Sequence, residues 1–235
     1  MRIHLVHAHP EPRSFVSAMR DVIANEFIDM GATVTVSDLY QMGFNPVLSA
    51  RDFGSRKRSD YLIYALEQRH GYETGSLSQE IRDEVANVLA ADVLGFTFPI
   101  YWFSVPAILK GWIERIFLSG PMYGGKRIYD RGGLKGKRSF AAMTLGGRSH
   151  MFGSAGIHGE LATGMMRHFF QGTLGYVGLA VYHPFVAYHV PYVTDHDRAE
   201  MLDGLRKYIR DLERQPLMVT PDIGCLLYTS DAADE

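Results

Sequence analysis

Short apolar runs alternate along the chain with longer stretches whose apolar residues recur every three or four positions, and this alternation restricts the chain to few architectures. Arg2 to Val6 reads as a first buried strand. Phe15 to Asp29 has helical spacing through Phe15, Ala18, Met19, Val22, Ile23 and Phe27, with Ser14 where an N-cap belongs. Gly31 ends that helix, and the β-branched stretch Ala32 to Ser37 predicts a second strand. Asp38 to Leu77 is a polar excursion with a short helix predicted around Tyr61 to Arg69. Ser78 to Ala90, Val105 to Phe117, Gly159 to Gly172 and Asp195 to Leu212 predict helices. Asp92 to Phe98, Arg138 to Thr144 and Leu179 to Val186 predict strands. The order predicts an α/β fold, a five-stranded parallel sheet with helices on both faces. With neither internal repeat nor low-complexity linker, residues 1–224 read as one domain.

The composition narrows the function. A chain of 235 residues that is 46% apolar can bury a substantial core. Its formal net charge of −2 does not suit a nucleic-acid binder. No apolar run reaches the roughly 20 residues that span a bilayer, and the start lacks the pattern of a secretory signal. The expectation is a cytoplasmic protein without membrane insertion. The single cysteine, Cys225, rules out an intramolecular disulfide and a cysteine metal site. It begins the segment CLLYTSDAADE (225–235), which reads like the translation of a sequencing adapter and is set aside from the domain.

In open α/β sheets ligands bind beyond the carboxyl ends of the strands. Three loops fall there. The first, His9-Pro10-Glu11-Pro12-Arg13-Ser14-Phe15, leads from a strand into a helix N-terminus, where free amides and the helix dipole favour an anion such as a phosphate. Ser14 could add a hydroxyl and Arg13 a charged fork. The same residues also read as an ordinary proline-rich turn with a capping serine. Neither the dinucleotide glycine fingerprint nor a P-loop is present. The second loop runs through Pro99, Ile100, Tyr101, Trp102, Phe103 and Ser104. Three consecutive aromatics cannot all enter one core, so at least one should face the cleft, where a planar ring packs well against it. The third, Thr144 to Gly159, carries five glycines in sixteen residues and ends beside His158. Glycine lets a backbone approach a ligand closely.

An anion site, an aromatic wall and a close-approach backbone together suit a flavin, whose reduced ring carries negative charge that amides and an imidazole can stabilise. His4, His7 and His9 come without carboxylates at ligand spacing, so no metal site is expected.

These segments carry a resemblance. FPIYWFSVPAILKGWIERIF (98–117), AHPEPRSF (8–15), SDLYQMGFNP (37–46) and GIHGE (156–160) resemble, in the same order, those of the NAD(P)H:quinone oxidoreductase (DT-diaphorase) family. The likeness runs from about Met1 to Tyr208. It implies a flavodoxin-like homodimer with one flavin per subunit at the interface, usually FAD. It also implies NAD(P)H and quinone alternating in one pocket, with hydride passing from nicotinamide to flavin N5 and on to the quinone in a ping-pong cycle. By the same resemblance His9, Ser14 and Phe15 contact the cofactor's pyrophosphate and adenosine side. Pro99, Ile100, Trp102 and Phe103, with Tyr101 among them, pack beside the isoalloxazine. Thr144, Gly146 and Gly147, with Leu145 between, present backbone to its polar edge. His158 stabilises the reduced flavin, and Arg198 lies near the cofactor. Tyr123 and Tyr176 reach the quinone pocket from the partner subunit.

The chain departs from the family at four points. The family's catalytic tyrosine falls at Phe152, which removes a hydroxyl and leaves charge stabilisation to His158 and to amides such as that of Gly147. A second pocket tyrosine is replaced by Gly125, and the asparagine after the first-loop phenylalanine by Val16. The family's glutamine contact in the excursion has no match, and together with Val16 this keeps FMN possible in place of FAD. A nitro or azo reductase, and a flavin-binding ancillary subunit of a potassium-efflux system, are the alternative readings.

Overall fold

In the computed structural model, which describes residues 1–223, a parallel sheet separates two helical layers. Strands β1 (Arg2–His7), β2 (Thr33–Asp38), β3 (Val93–Pro99), β4 (Arg138–Thr144), β5 (Ala180–Val181) and β6 (Phe185–Ala187) form it, in the order β2-β1-β3-β4-β5, with β6 also paired to β4. The order reverses between β1 and β3, and such a switch point leaves a crevice at the strand ends. Residues 225–235, with Cys225, lie outside the described residues.

β3 is buried along its whole length, as a central parallel strand must be. One face packs against α3 (Gln79–Ala90) and α4 (Ala107–Ile116), with Phe96, Phe98, Trp112 and Phe169 in edge-on ring contacts. The other packs against α1 (Phe15–Asp29) and α6 (Asp195–Arg210) through Ile3, Leu5, Ile23, Phe27, Phe140 and Leu205. Thr194 starts α6 with a capping box shared with Asp197.

Three expectations are corrected. The fifth strand is broken: β5 pairs with Arg138 and Ser139, and β6 with Ala142 to Thr144. Pro184, which has no amide to donate, lies in the gap. The helix expected over Gly159 to Gly172 starts later, ends later and is wound unevenly. Two π-helical turns, Leu161–Met165 and Phe170–Gly175, flank α5 (Arg167–Phe169). The helix of the excursion, α2, spans Tyr64–Thr74.

The excursion is also better ordered than its polar composition suggests. Buried Arg115 of α4 pairs with buried Asp52 at 2.7 Å and with Glu80 at 2.6 Å, and donates to the Asn45 carbonyl. Tyr64 donates to the same Asp52 carboxylate. Glu67 accepts the amides of Lys57 and Arg58.

Candidate functional site at the C-terminal ends of the strands

The first loop is locked from beneath. Ser14 caps α1 by accepting the Ser17 amide. The Ser17 hydroxyl gives its proton to the Glu11 carbonyl at 3.0 Å, so the His7 ring nitrogen Nε2, 3.2 Å away, donates to Ser17. Nδ1 of His7 then accepts from Thr97 at 2.8 Å. Burial holds this imidazole neutral, pushing its pKa down to about 4 against the opposing pull of Asp38. Ser14 is thus engaged in the cap, and the exposed Arg13 guanidinium meets Glu11. The amides of Phe15 and Val16, which no helix can satisfy at its first turn, have no hydrogen-bond partner among the described residues. Amides in that position can donate to an anion.

The second loop turns tightly. Tyr101 and Ser104 exchange both backbone hydrogen bonds, at 3.1 and 3.0 Å. Between them Trp102 and Phe103 both adopt the left-handed region, at φ 50° and 58°. That conformation costs a residue with a side chain about 1–2 kcal/mol, so surrounding structure must hold it. Its result is an exposed aromatic surface: Trp102 is 97% accessible, with Tyr101 and Phe103 nearly half so. Ile100 is fixed to β4 by its amide to the Thr144 carbonyl.

The third loop is held by a residue that the sequence did not mark. His189, itself at φ 60°, donates from its amide to the Gly147 carbonyl and from Nδ1 to the Gly146 carbonyl, each at 2.9 Å. The amides of Gly146 and Gly147 remain without partners among the described residues. A Cβ on Gly147 would come to 3.1 Å from Phe152 and 3.2 Å from Leu145. Arg198 anchors the same corner, bonding Asp195 and the Val190 carbonyl, and Tyr192 packs on His189 at 4.8 Å.

The second and third loops meet in a row of rings. Phe103 lies 5.1 Å from His158, His158 5.2 Å from Phe152, and Phe152 5.8 Å from Tyr188. Of the expected residues, one chain therefore brings together Pro99 to Phe103, Thr144 to Gly147, Phe152 and His158. His9 opens the first loop, its ring meeting the Glu11 backbone. Tyr123 and Tyr176 face each other at 5.7 Å in a separate depression of about 470 Å³ with Leu48, Tyr64 and Phe117; none of the three loops lines it. Sequence reasoning missed His189, Tyr192 and Tyr188. The turn residues His189-Val190-Pro191 were the available signal.

The donors suit a flavin: partner-free amides at a helix start and in a glycine loop, with exposed aromatics between them. Among the described residues no helix is long and apolar enough to cross a membrane.

The chain is similar to known proteins over most of its length. A family model described as flavodoxin-like fold matches residues 1–210. The chain is 34% identical to the ribosyldihydronicotinamide dehydrogenase (quinone) of Mus musculus, over 94% of this chain and 96% of that one. It is 35% identical to NAD(P)H dehydrogenase (quinone) 1 of Rattus norvegicus, over 94% and 81%. A crystal structure from Klebsiella pneumoniae, assigned as a quinone reductase, superposes with a TM-score of 0.87 at 30% identity, covering 92% of this chain and 86% of that one. In sequence and in fold the chain belongs to the flavodoxin-like family in which these quinone dehydrogenases stand.

Proposed function

We propose that the protein is a flavin-dependent NAD(P)H:quinone oxidoreductase that works as a homodimer by a two-electron ping-pong cycle. The observation that carries this reading is the convergence of the strained aromatic turn with the two partner-free glycine amides beside it. When bound, a flavin supplies hydride transfer from a reduced nicotinamide to a quinone. The chain supplies the rest. The amides of Phe15 and Val16 bind phosphate. Tyr101, Trp102 and Phe103 pack the ring and exclude water from one side of it. The amides of Gly146 and Gly147 donate to its polar edge, where negative charge gathers on reduction. His158, whose ring nitrogens have no partner among the described residues, holds a proton at an imidazole nitrogen near that edge. Tyr123 and Tyr176, set apart within one chain, would complete the pocket of a second copy. FAD is the favoured cofactor and FMN the alternative.

An absorbance spectrum of purified protein, followed by anaerobic NADPH and then menadione, tests the reading. The expected result is a flavin spectrum that bleaches with NADPH and returns with quinone; chromatography of the released cofactor separates FAD from FMN. A bound flavin that NADPH fails to bleach would favour the ancillary-subunit reading. Protein that takes up no flavin on reconstitution would overturn the proposal.

A further inference from the structure

Tyr188 follows β6 directly, and Ala187 of that strand lies opposite Thr144 of β4. Leu145 donates to the Ala187 carbonyl and His189 to the Gly147 carbonyl, so the backbone fixes Tyr188 beside the start of the glycine loop. Its ring packs 5.8 Å from Phe152, and Phe152 in turn lies 5.2 Å from His158. Phe152 has no polar side-chain atom. His158 and Tyr188 are therefore the two rings in contact with it that can carry a proton.

The Tyr188 ring is half-buried against the core, yet its hydroxyl has no hydrogen-bond partner among the described residues. The hydroxyl is not among the buried atoms left without a partner, so it opens toward solvent, where water or a ligand can meet it. Burial and the nearby Glu160 carboxylate push the group above the ordinary tyrosine range, so at neutral pH it remains a donor.

We propose that Tyr188 determines specificity in this cleft, its hydroxyl donating a hydrogen bond to a carbonyl oxygen of the planar ring that binds beside Phe152. This rests on the quinone-reductase reading of the site. The flavin's pyrimidine edge and the quinone both present such a carbonyl, and the test separates them.

The test compares flavin-loaded protein with Tyr188→Phe and with the double variant Phe152→Tyr/Tyr188→Phe, which returns a hydroxyl to the neighbouring ring. Four quantities are measured: flavin dissociation constant, flavin midpoint potential, and kcat/KM with menadione and with ferricyanide, an acceptor that has no carbonyl. Loss of one such hydrogen bond should cost about tenfold. If the partner is the quinone, menadione turnover falls by that factor in Tyr188→Phe while ferricyanide turnover stays within about twofold. If it is the flavin, its dissociation constant rises about tenfold, the potential moves, and both acceptors are affected. In either case the double variant recovers most of the loss. Tyr188→Phe protein that matches the parent in all four quantities overturns the role of Tyr188 alone. Parent protein that binds no flavin overturns the underlying reading as well.

Discussion

Phe103 and His158 bring their rings to a centroid separation of 5.1 Å, joining the turn after β3 to the glycine-rich loop after β4. The contact places an ionisable group against an aromatic whose backbone is itself held at φ 58°. Replacing His158 by alanine should slow flavin reduction by NADPH on the order of 10²-fold, the contribution typical of a positioned proton-handling group. Stopped-flow traces of the reductive half-reaction measure it, and an unchanged rate removes His158 from the chemistry.

Trp102 offers a cleaner separation of binding from stability. Its indole is almost wholly exposed, so Trp102→Ala should alter the melting of flavin-free protein by no more than about 0.5 kcal/mol. On the proposed reading, in which a flavin packs on this exposed ring, flavin retained through purification should nevertheless fall. Undiminished flavin content would count against the aromatic wall.

His7 gives the fold a pH dependence. Its pKa in the folded chain is about 4, against an ordinary value of 6.5, so below pH 6.5 the unfolded chain takes up a proton that the folded one refuses. Stability is thus full above pH 6.5 and declines as pH falls toward 4, by about 3 kcal/mol from this group. Buried His4, its pKa also lowered by burial, acts in the same direction. Denaturant titrations across that range should show the decline, and His7→Gln should reduce it. Equal slopes in the two proteins would refute the assignment.

Arg115 and Asp52 are both buried, and removing one partner strands the other. Arg115→Ala should cost about 3–5 kcal/mol. Limited proteolysis should then cut first between Phe44 and Leu77, the segment that this pair fastens to α4. Cleavage unchanged in rate and place would show that the excursion is held by its apolar contacts instead.

The architecture was legible because its signals are local. Apolar runs and helical spacing placed β1, β3, β4, α1, α3, α4 and α6 within a few residues. Ser14 was legible as a cap because capping is decided within one turn. The break between β5 and β6 was not, since Leu179 to Val186 is apolar enough to read as continuous and only pairing with β4 shows the gap. The aromatic turn could be identified as a cleft wall, but not its two left-handed residues, because nothing in Tyr-Trp-Phe asks for that backbone. His189 was invisible for a different reason. Its role exists only through the two glycine carbonyls it meets, some forty positions away in the chain.

The left-handed conformation of Trp102 and Phe103 also divides the thermodynamics of this protein in a definite way. Two adjacent residues with side chains in that region each set about 1–2 kcal/mol against folding, a cost that the rest of the chain must outweigh. A ligand that packs on the same turn adds to the stability of the folded chain and leaves the unfolded one unchanged. On the proposed reading, added flavin should therefore raise the melting temperature in a concentration-dependent way.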